Sequence, residues 1–424
     1  MKKSIHSRRV LKSLLLLLYL TSVTLVKAQI IKDNQIIIGH ADSVKSKILN
    51  EVRNIWIYLP KGYNANSMER YPVIYLLDAE WHFEALSGIE HQLSEVMSNT
   101  VFPQAIIVGI TNTDRNRDLT PTNSLIVLGG RKIEQFKNTG GGERFTSFIE
   151  KELFPHIDST YHTAPYRMLI GHSFGGLTAM NILINHTRLF TDYLVIEPSM
   201  WWDGRKLLNE AREAFKEKRF EGKNLFLAIA NTMPFGMDTA QVQKDTVTTG
   251  NNGHIRAILD LKHILQNNLG SGLNWSFKYY KDDDHGSVPL IAEYDGLHFL
   301  LSFYNFPPGF EEKLIDKNIK VDVEADYRKH YDEISKRFGY RVLPPESVLN
   351  GLGYFLLQNN LPERAFAAFD LNTKYYPESP AVYVSMGDYY VSQKNNVKAI
   401  EYYNKALKIK EDPDTRNKVN KLVH

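Results

Sequence analysis

A serine between glycines follows a short apolar run near the middle of the chain. Residues 171–176 read GHSFGG, and a helical pattern of apolar residues comes after them. A strand, a tight turn and a helix are the context that a G-x-S-x-G nucleophile turn requires. We expect a Cβ at Gly171 or Gly175 to collide with the neighbouring strand or helix. The pattern therefore predicts Ser173 at the edge of a sheet, with the backbone N–H of Phe174 free to bind an oxyanion.

Apolar runs that alternate with helical patterns surround this turn. The predicted strands are Glu51–Leu59, Tyr71–Asp78, Ala105–Ile110, Met168–Ile170, Tyr193–Ile196, Leu225–Ala230 and Trp275–Tyr280, with a further edge strand over Ile30–Ile38. The predicted helices are Glu84–Asn99, Gly140–Phe154, Ile255–Asn267 and Val288–Tyr304. Because continuous apolar runs are typical of strands covered on both faces, we predict an α/β fold with a mainly parallel sheet between two layers of helices.

Both ends of the chain depart from this pattern. Residues 1–28 combine basic residues, an apolar stretch and a small residue at Ala28. These features predict a signal peptide and an exported protein, periplasmic or secreted. The α/β domain is predicted over residues 29–308, because two prolines end it at 307 and 308. Residues 309–344 are interpreted as a connector or a helical cap.

The last part of the chain, residues 345–424, contains an internal repeat. Gly353 and Gly387 are 34 residues apart, and so are Phe369 and Tyr403. This period is typical of the tetratricopeptide repeat, a helix–turn–helix unit. We therefore predict a small all-α helical-repeat domain here, with a protein partner bound through the repeats as a further hypothesis.

Composition excludes several classes of site and partner. The chain has no cysteine, which rules out thiol nucleophiles, disulfides and thiolate metal sites. Six of its 51 basic residues lie within residues 1–28, which leaves 45 basic against 48 acidic residues. We therefore expect no nucleic-acid partner. No stretch after the signal is long and apolar enough to suggest contact with a membrane.

A serine nucleophile needs a base, and the base needs a group that orients it. His285 follows the last predicted strand and is the expected base. Asp238 is the first candidate for the acid, because it is the first carboxylate after the strand Leu225–Ala230. Glu197, Asp245 and a Ser–His pair without an acid remain alternatives.

The loop after Tyr71–Asp78 is expected to complete the oxyanion site. Ala79 or Glu80 would supply a second backbone N–H there. Trp201 and Trp202 would line an acyl or alcohol pocket, or else pack in the core. Nothing in these patterns calls for a metal ion or an organic cofactor.

Several ordered segments resemble the esterase D-like putative esterases. They are Tyr71–Asp78 (YPVIYLLD), Ile107–Asn112 with Arg115 and 118–121, Gly171–Gly176, Pro198–Trp202 (PSMWW) and His285–Pro289 (HGSVP). This family includes S-formylglutathione hydrolases, feruloyl and acetylxylan esterases, siderophore esterases and mycolyltransferases. The resemblance implies the α/β-hydrolase fold, Ser173 as nucleophile and His285 as base. The chain departs from the family pattern at Ala79, where glycine is usual, and at Glu197, where serine is usual.

Together these features predict an exported serine carboxylic ester hydrolase that works through an acyl-enzyme. The expected substrate is a small-molecule or saccharide ester, either an acylated saccharide or a siderophore-type ester, because export separates the protein from cytosolic glutathione derivatives. One alternative is an acyltransferase that uses the same acyl-enzyme. Another is a non-catalytic exported scaffold that binds a partner through its helical repeats.

Overall fold

An eight-stranded sheet forms the centre of the protein. The computed structural model describes residues 36–66, 68–96, 101–244 and 251–423. The strand order is β1-β2-β4-β3-β5-β6-β7-β8. The strands are β1 His40–Ser46, β2 Glu51–Tyr58, β3 Tyr71–Leu77, β4 Ile106–Ile110, β5 Thr163–His172, β6 Asp192–Ile196, β7 Asn224–Ala230 and β8 Asn274–Tyr280.

The sheet is parallel except at one edge. β1 pairs antiparallel with β2, and β2 pairs antiparallel with β4. All later neighbours pair in parallel, from β4 and β3 through to β8. Every residue of β3, β4, β6 and β7 is buried, as expected for strands with helices on both faces. Parallel pairing brings the carboxyl ends of β3, β5, β6, β7 and β8 to one edge of the sheet, where open α/β sheets bind ligands.

Helices cover both faces of the sheet, as predicted. In the α/β part they are α1 Ala79–Ser94, α2 Arg115–Asp118, α3 Gly142–Phe148, α4 Phe154–Thr160, α5 Phe174–Asn185, α6 Trp202–Glu217, α7 Thr239–Lys244, α8 Asn251–Gln266 and α9 Val288–Leu300. Buried side chains from α3, α4, α5, α6 and α8 form one apolar core with the sheet. Those from α1 and α9 belong to a second core.

Some boundaries differ from the predictions. The edge strand expected over Ile30–Ile38 is not found in its described part, residues 36–38, and the first strand begins at His40. β1 is largely polar and buries only Val44 and Ser46, so it lacks a strong apolar alternation. The helix after β3 starts at Ala79 rather than Glu84, because Asp78 adopts left-handed angles (φ 55°) and turns the chain at once.

The connector and the tail are entirely built from helices and short links. The helices are α10 Phe310–Ile315, α11 Val323–Phe338, α12 Glu346–Gln358, α13 Pro362–Tyr375, α14 Pro380–Ser392, α15 Asn396–Ile409 and α16 Pro413–Val423. α11 packs near the amino ends of the strands. The rings of Phe338 and Tyr166 lie 5.3 Å apart, and Arg337 Nη1 donates to Asn224 Oδ1 at 3.3 Å. The connector is therefore anchored at the amino ends of the strands, opposite to the loops that follow the strands.

The repeat in the sequence corresponds to a repeated packing contact. A Cβ on Gly353 would lie 2.3 Å from the ring of Phe369, and one on Gly387 would lie 2.3 Å from the ring of Tyr403. The helix pairs α12–α13 and α14–α15 thus meet through the same contact of a small residue with an aromatic ring. The tail is all-helical as predicted, and its assignment to the tetratricopeptide class stays a prediction.

The predicted signal peptide, residues 1–28, lies outside the described residues. Within the ranges that the structure covers, none of the helices has the length and apolar character needed to cross a membrane.

Candidate active site

Ser173 occupies a strained turn between β5 and α5. Its backbone angles are φ 60° and ψ −114°, a combination that residues other than glycine rarely adopt. A Cβ on Gly171 would meet the carbonyl oxygen of Gly175 at 2.3 Å, so the collision expected there is found. At Gly175 the closest atom would be Asp78 Oδ2 at 3.2 Å, a milder restriction. The glycine at 176 is more restricted, because its Cβ would lie 3.0 Å from the carbonyl oxygen of Ile196.

Backbone hydrogen bonds fix this turn to the end of β6. Ser173 N donates to the carbonyl of Ile196 at 3.0 Å, and Ser199 N donates to the carbonyl of Ser173 at 3.0 Å. The hydroxyl Oγ of Ser173 lies 3.4 Å from Ser199 Oγ. The serine side chain is therefore held where the loops after β5 and β6 meet.

Glu197, at the end of β6, connects two histidines. Its Oε2 lies 3.3 Å from His285 Nδ1 and 2.9 Å from His254 Nε2. Its other oxygen accepts the backbone N–H of Ala230 at 2.6 Å. Glu197 is fully buried and has a positive φ of 44°, a second strained residue at this edge of the sheet. The carboxylate is thus held by three hydrogen bonds from β7, α8 and the loop after β8.

These contacts determine the charge of the groups around His285. Burial alone would raise the pKa of the Glu197 carboxyl, but the hydrogen bonds from His254 and His285 outweigh it and lower the pKa to about 2. The neighbouring His172 has its ring centre 4.5 Å from that of His285. Burial, and next the proximity of His285, lower the pKa of His172 to about 3. At neutral pH the site therefore holds one carboxylate charge beside His285 and a neutral His172.

Ser173 and His285 face the same cavity of about 280 Å³. Its lining residues are Leu128, Ser173, Ser199, Trp201, Thr232, His254 and His285. Because Nδ1 of His285 contacts Glu197, the ring nitrogen left for a reacting group is Nε2. No hydrogen bond joins Ser173 Oγ to the His285 ring among the described residues. Such contacts in unliganded sites often shorten only when the substrate binds.

The position of Asp238 corrects the first expectation for the acid. Asp238 is exposed, and its Oδ1 accepts the backbone N–H of Gln241 at 2.7 Å at the start of α7. Its side chain is used in that local turn, and the carboxylate beside His285 is that of Glu197. Asp245, the other alternative, lies outside the described residues. The departure from the family pattern at Glu197 was the sequence signal for this carboxylate.

Two helix N-termini meet beside Ser173. Phe174 is the first residue of α5, and Ala79 and Glu80 are the first two of α1. The N–H groups of a first helical turn have no acceptor within the helix. β3 and β5 pair in parallel, with Leu76 opposite Ile170, so the two helices start side by side. The geometry therefore allows these N–H groups to converge on an oxyanion.

An ion pair holds the turn before α1. Arg115 Nε and Nη2 donate to the two carboxylate oxygens of Asp78 at 2.7 and 2.9 Å. The guanidinium carbon of Arg115 lies 5.0 Å from the centre of the Trp81 ring and 5.5 Å from that of Phe174. Arg115 thus links the turn after β3 to the start of α5. From the sequence, Arg115 is recognisable only as part of a segment that resembles the family, and its role in positioning this turn depends on the fold.

The two tryptophans have different environments. Trp201 is partly exposed and lines the cavity. Trp202 is 2% exposed, and its Nε1 donates to the carbonyl of Thr122 at 3.1 Å. Trp202 therefore packs in the core, which corrects the expectation that both rings line the pocket.

The chain is similar to known esterases in sequence and in structure. A family profile described as "Putative esterase" matches residues 46–227. The chain is 30% identical to the ferri-bacillibactin esterase BesA of Bacillus subtilis over 190 residues, which cover 42% of this chain and 66% of that protein. It is 30% identical to the siderophore enterobactin esterase of Emericella nidulans over 181 residues, 38% of this chain and 56% of that protein. The chain thus spans less than two thirds of either curated relative.

A solved structure extends the similarity over a longer part of the chain. The crystal structure of an IroE-like serine hydrolase from Shewanella oneidensis is 33% identical in sequence, with a TM-score of 0.65. The similarity covers 80% of this chain and 99% of that one. The chain therefore belongs to the family described as "Putative esterase", within the α/β-hydrolase class.

Proposed function

We propose that this protein is a carboxylic ester hydrolase with Ser173 as nucleophile, His285 as general base and Glu197 as the acid that orients the base. One observation carries the proposal: the buried Glu197 carboxylate lies 3.3 Å from His285 Nδ1 at the edge of a cavity that Ser173 shares. This arrangement leaves Nε2 of His285 for the proton of the serine, as in other serine hydrolases.

The acylation step would use each group in turn. His285 Nε2 takes the proton of Ser173 Oγ as the oxygen attacks the ester carbonyl. The N–H groups of Phe174 and Ala79 donate to the oxyanion that forms. The imidazolium donates its Nδ1–H to the Glu197 carboxylate, which stabilises the positive charge. The alcohol then leaves with the proton from His285 Nε2 and an ester on Ser173 remains.

Water would complete the reaction. His285 takes a proton from a water molecule that attacks the ester on Ser173, and the acid leaves when the serine regains its proton. The His285 side chain is 40% exposed, so water can reach this position. Transfer of the acyl group to another alcohol uses the same acyl-enzyme, and free access of water favours hydrolysis over that alternative.

We propose siderophore-type esters as the substrate class. The support is the names of the two curated relatives, both siderophore esterases. A cavity of about 280 Å³ lies just below the usual range for ligand pockets, which begins at about 300 Å³. It would admit the ester and its nearest atoms, while the bulk of a ferric siderophore stays outside against Trp201. Acylated saccharides remain the second class to test.

Export and the role of the tail are also proposals. The basic and apolar residues of 1–28 support a periplasmic or secreted location. The tail follows the connector, which is anchored at the amino ends of the strands, so a protein partner bound to the tail would leave the cavity open. A scaffold without catalysis is disfavoured, because a strained serine costs about 1–3 kcal/mol and needs a reason to persist.

Hydrolysis of p-nitrophenyl acetate and butyrate would test the esterase activity. Turnover of ferric siderophore esters and of acetylated or feruloylated xylan fragments would then test the substrate class. We expect wild-type activity on the small esters and its loss in Ser173→Ala. Ser159→Ala is a matched control, because Ser159 is exposed on α4 and, among the described residues, its hydroxyl donates only to the carbonyl of His156. Equal rates for the wild type and Ser173→Ala would refute the esterase proposal.

A further inference from the structure

Glu197, His254 and His285 place three metal-binding atoms close together. The carboxylate oxygen and one nitrogen of each imidazole all lie within 4.8 Å of one another. We propose that this cluster binds a divalent transition-metal ion such as Zn²⁺, and that the bound ion inhibits the enzyme by occupying its base. The inhibition rests on the proposed function, whereas the binding does not.

The distances in the cluster are near those of a zinc site. Zinc binds imidazole nitrogen and carboxylate oxygen at about 2.0–2.2 Å, so two ligand atoms of a tetrahedral site lie about 3.4 Å apart. The Oε2 of Glu197 lies 3.3 Å from His285 Nδ1 and 2.9 Å from His254 Nε2. The first separation fits directly, and the second needs a widening of about half an ångström. The third, between the two imidazole nitrogens, lies within 4.8 Å and must also come to about 3.4 Å. A small movement of two side chains would therefore make room for the ion.

The surrounding structure orients the ligands and leaves an entrance. The backbone N–H of Ala230 holds Oε1 of Glu197, which directs Oε2 towards the histidines. The side chain of His254 is 11% exposed and that of His285 is 40% exposed. Because both imidazoles also line the cavity that contains Ser173, an ion can enter from that side. A water molecule from the cavity can occupy the fourth position, as in zinc sites with three protein ligands.

Coordination would move protons within the site. In the metal-free protein, His285 Nδ1–H and His254 Nε2–H donate to Glu197. A metal ion needs the lone pairs of these nitrogens, so each neutral ring must carry its proton on the other nitrogen. His285 then has its proton on Nε2 and can no longer accept one from Ser173. The ion would thereby remove both the base and the carboxylate that orients it.

The donor set also predicts which ions bind. Imidazole nitrogens suit zinc and the other late first-row metals, whereas magnesium and calcium prefer oxygen ligands. We expect inhibition by Zn²⁺ that EDTA reverses and no inhibition by Mg²⁺ at the same concentration. The sequence alone does not indicate this site, since its ligands come from β6, α8 and the loop after β8 without a ligand-spacing motif.

Calorimetric titration of the full, untagged chain with Zn²⁺ would test the binding without any ester substrate. We expect one site in the wild type, with at least about tenfold weaker binding in His254→Gln. His186→Gln is the matched control, because His186 also contacts a single carboxylate, that of Glu143 at 3.0 Å, and it should leave the affinity unchanged. Glu197→Gln tests a second ligand independently if His254→Gln does not fold.

The outcomes separate this proposal from the proposed function. No zinc binding by the wild type, or equal affinity in the wild type and both ligand variants, would overturn the site. Binding that is lost in the ligand variants supports the site even if no ester is hydrolysed. Binding without any loss of p-nitrophenyl ester hydrolysis, in a protein that hydrolyses these esters, would overturn the inhibition.

Discussion

Replacement of Glu197 by glutamine tests the electrostatic part of the proposed mechanism. The change keeps the shape of the side chain and removes its charge. When His285 takes the proton of Ser173, an imidazolium forms with Nδ1 at 3.3 Å from Glu197 Oε2. Two unit charges at this distance attract each other by about 5 kcal/mol at an effective dielectric constant of about 20. This attraction is present in the transition state and absent while His285 is neutral.

Two features reduce that figure. The His285 side chain is 40% exposed, so water screens part of the attraction. A glutamine oxygen could still accept the Nδ1–H of His285. We therefore expect a loss of about 3–4 kcal/mol in transition-state stabilisation, which is between about 10² and 10³ in kcat/KM. The assay is steady-state hydrolysis of p-nitrophenyl butyrate at pH 7.5, with thermal unfolding to check that the variant folds.

Asp238→Asn is the matched control for this experiment. Asp238 is exposed and bonds the backbone of Gln241 at the start of α7, so its charge lies outside the catalytic contacts. We expect kcat/KM for this variant within about twofold of the wild type, which is about 0.4 kcal/mol. A folded Glu197→Gln variant with more than a third of wild-type activity would refute the assignment of the acid. So would an Asp238→Asn variant that loses as much activity as Glu197→Gln.

Three further predictions concern stability and substrate selection. Glu293 is 1% exposed and neither oxygen has a hydrogen-bond partner among the described residues, so burial holds its pKa well above 4.5. The folded protein keeps a proton on Glu293 that the unfolded chain releases above about pH 4.5, so stability is lost as the pH rises. Glu293→Gln should therefore raise the thermal unfolding midpoint more at pH 8 than at pH 5. An equal shift at both pH values would contradict this. Gly353→Ala should destabilise the tail by about 1–3 kcal/mol in denaturant unfolding, because the added Cβ meets the Phe369 ring. Gly351→Ala on the same helix adds a Cβ in open space and should be neutral or stabilising. Equal effects of the two variants would contradict the packing argument. Trp201→Ala should raise KM for a ferric siderophore ester more than for p-nitrophenyl acetate, and equal changes would show that Trp201 does not contact the larger substrate.

The layered α/β fold followed from local patterns in the sequence. Strands such as Tyr71–Leu77 are continuous apolar runs because both of their faces are buried. The turn at Ser173 could be located because its glycines meet a steric requirement that depends on a few adjacent residues. β1 was missed because its strand is held by pairing with β2, while its own sequence is mostly polar.

The role of each carboxylate could not be decided in the same way. Asp238 is the first candidate from the sequence because it is the first carboxylate after the strand Leu225–Ala230. Distance along the chain does not tell whether a side chain turns towards the sheet or caps the next helix, and Asp238 caps α7. Trp202 was likewise next to a pocket residue in sequence, yet it points into the core.

The sheet, the strained serine and the late histidine can be predicted from the amino-acid sequence, because they depend on periodicity, glycine sterics and chain order. Which carboxylate faces His285, and that His254 contacts the same oxygen, follows only from the folded arrangement. Those contacts join β6, α8 and the loop after β8, which are far apart in the chain. How close Glu197, His254 and His285 lie in space depends on how the strands align in the sheet, and no local sequence pattern predicts that alignment.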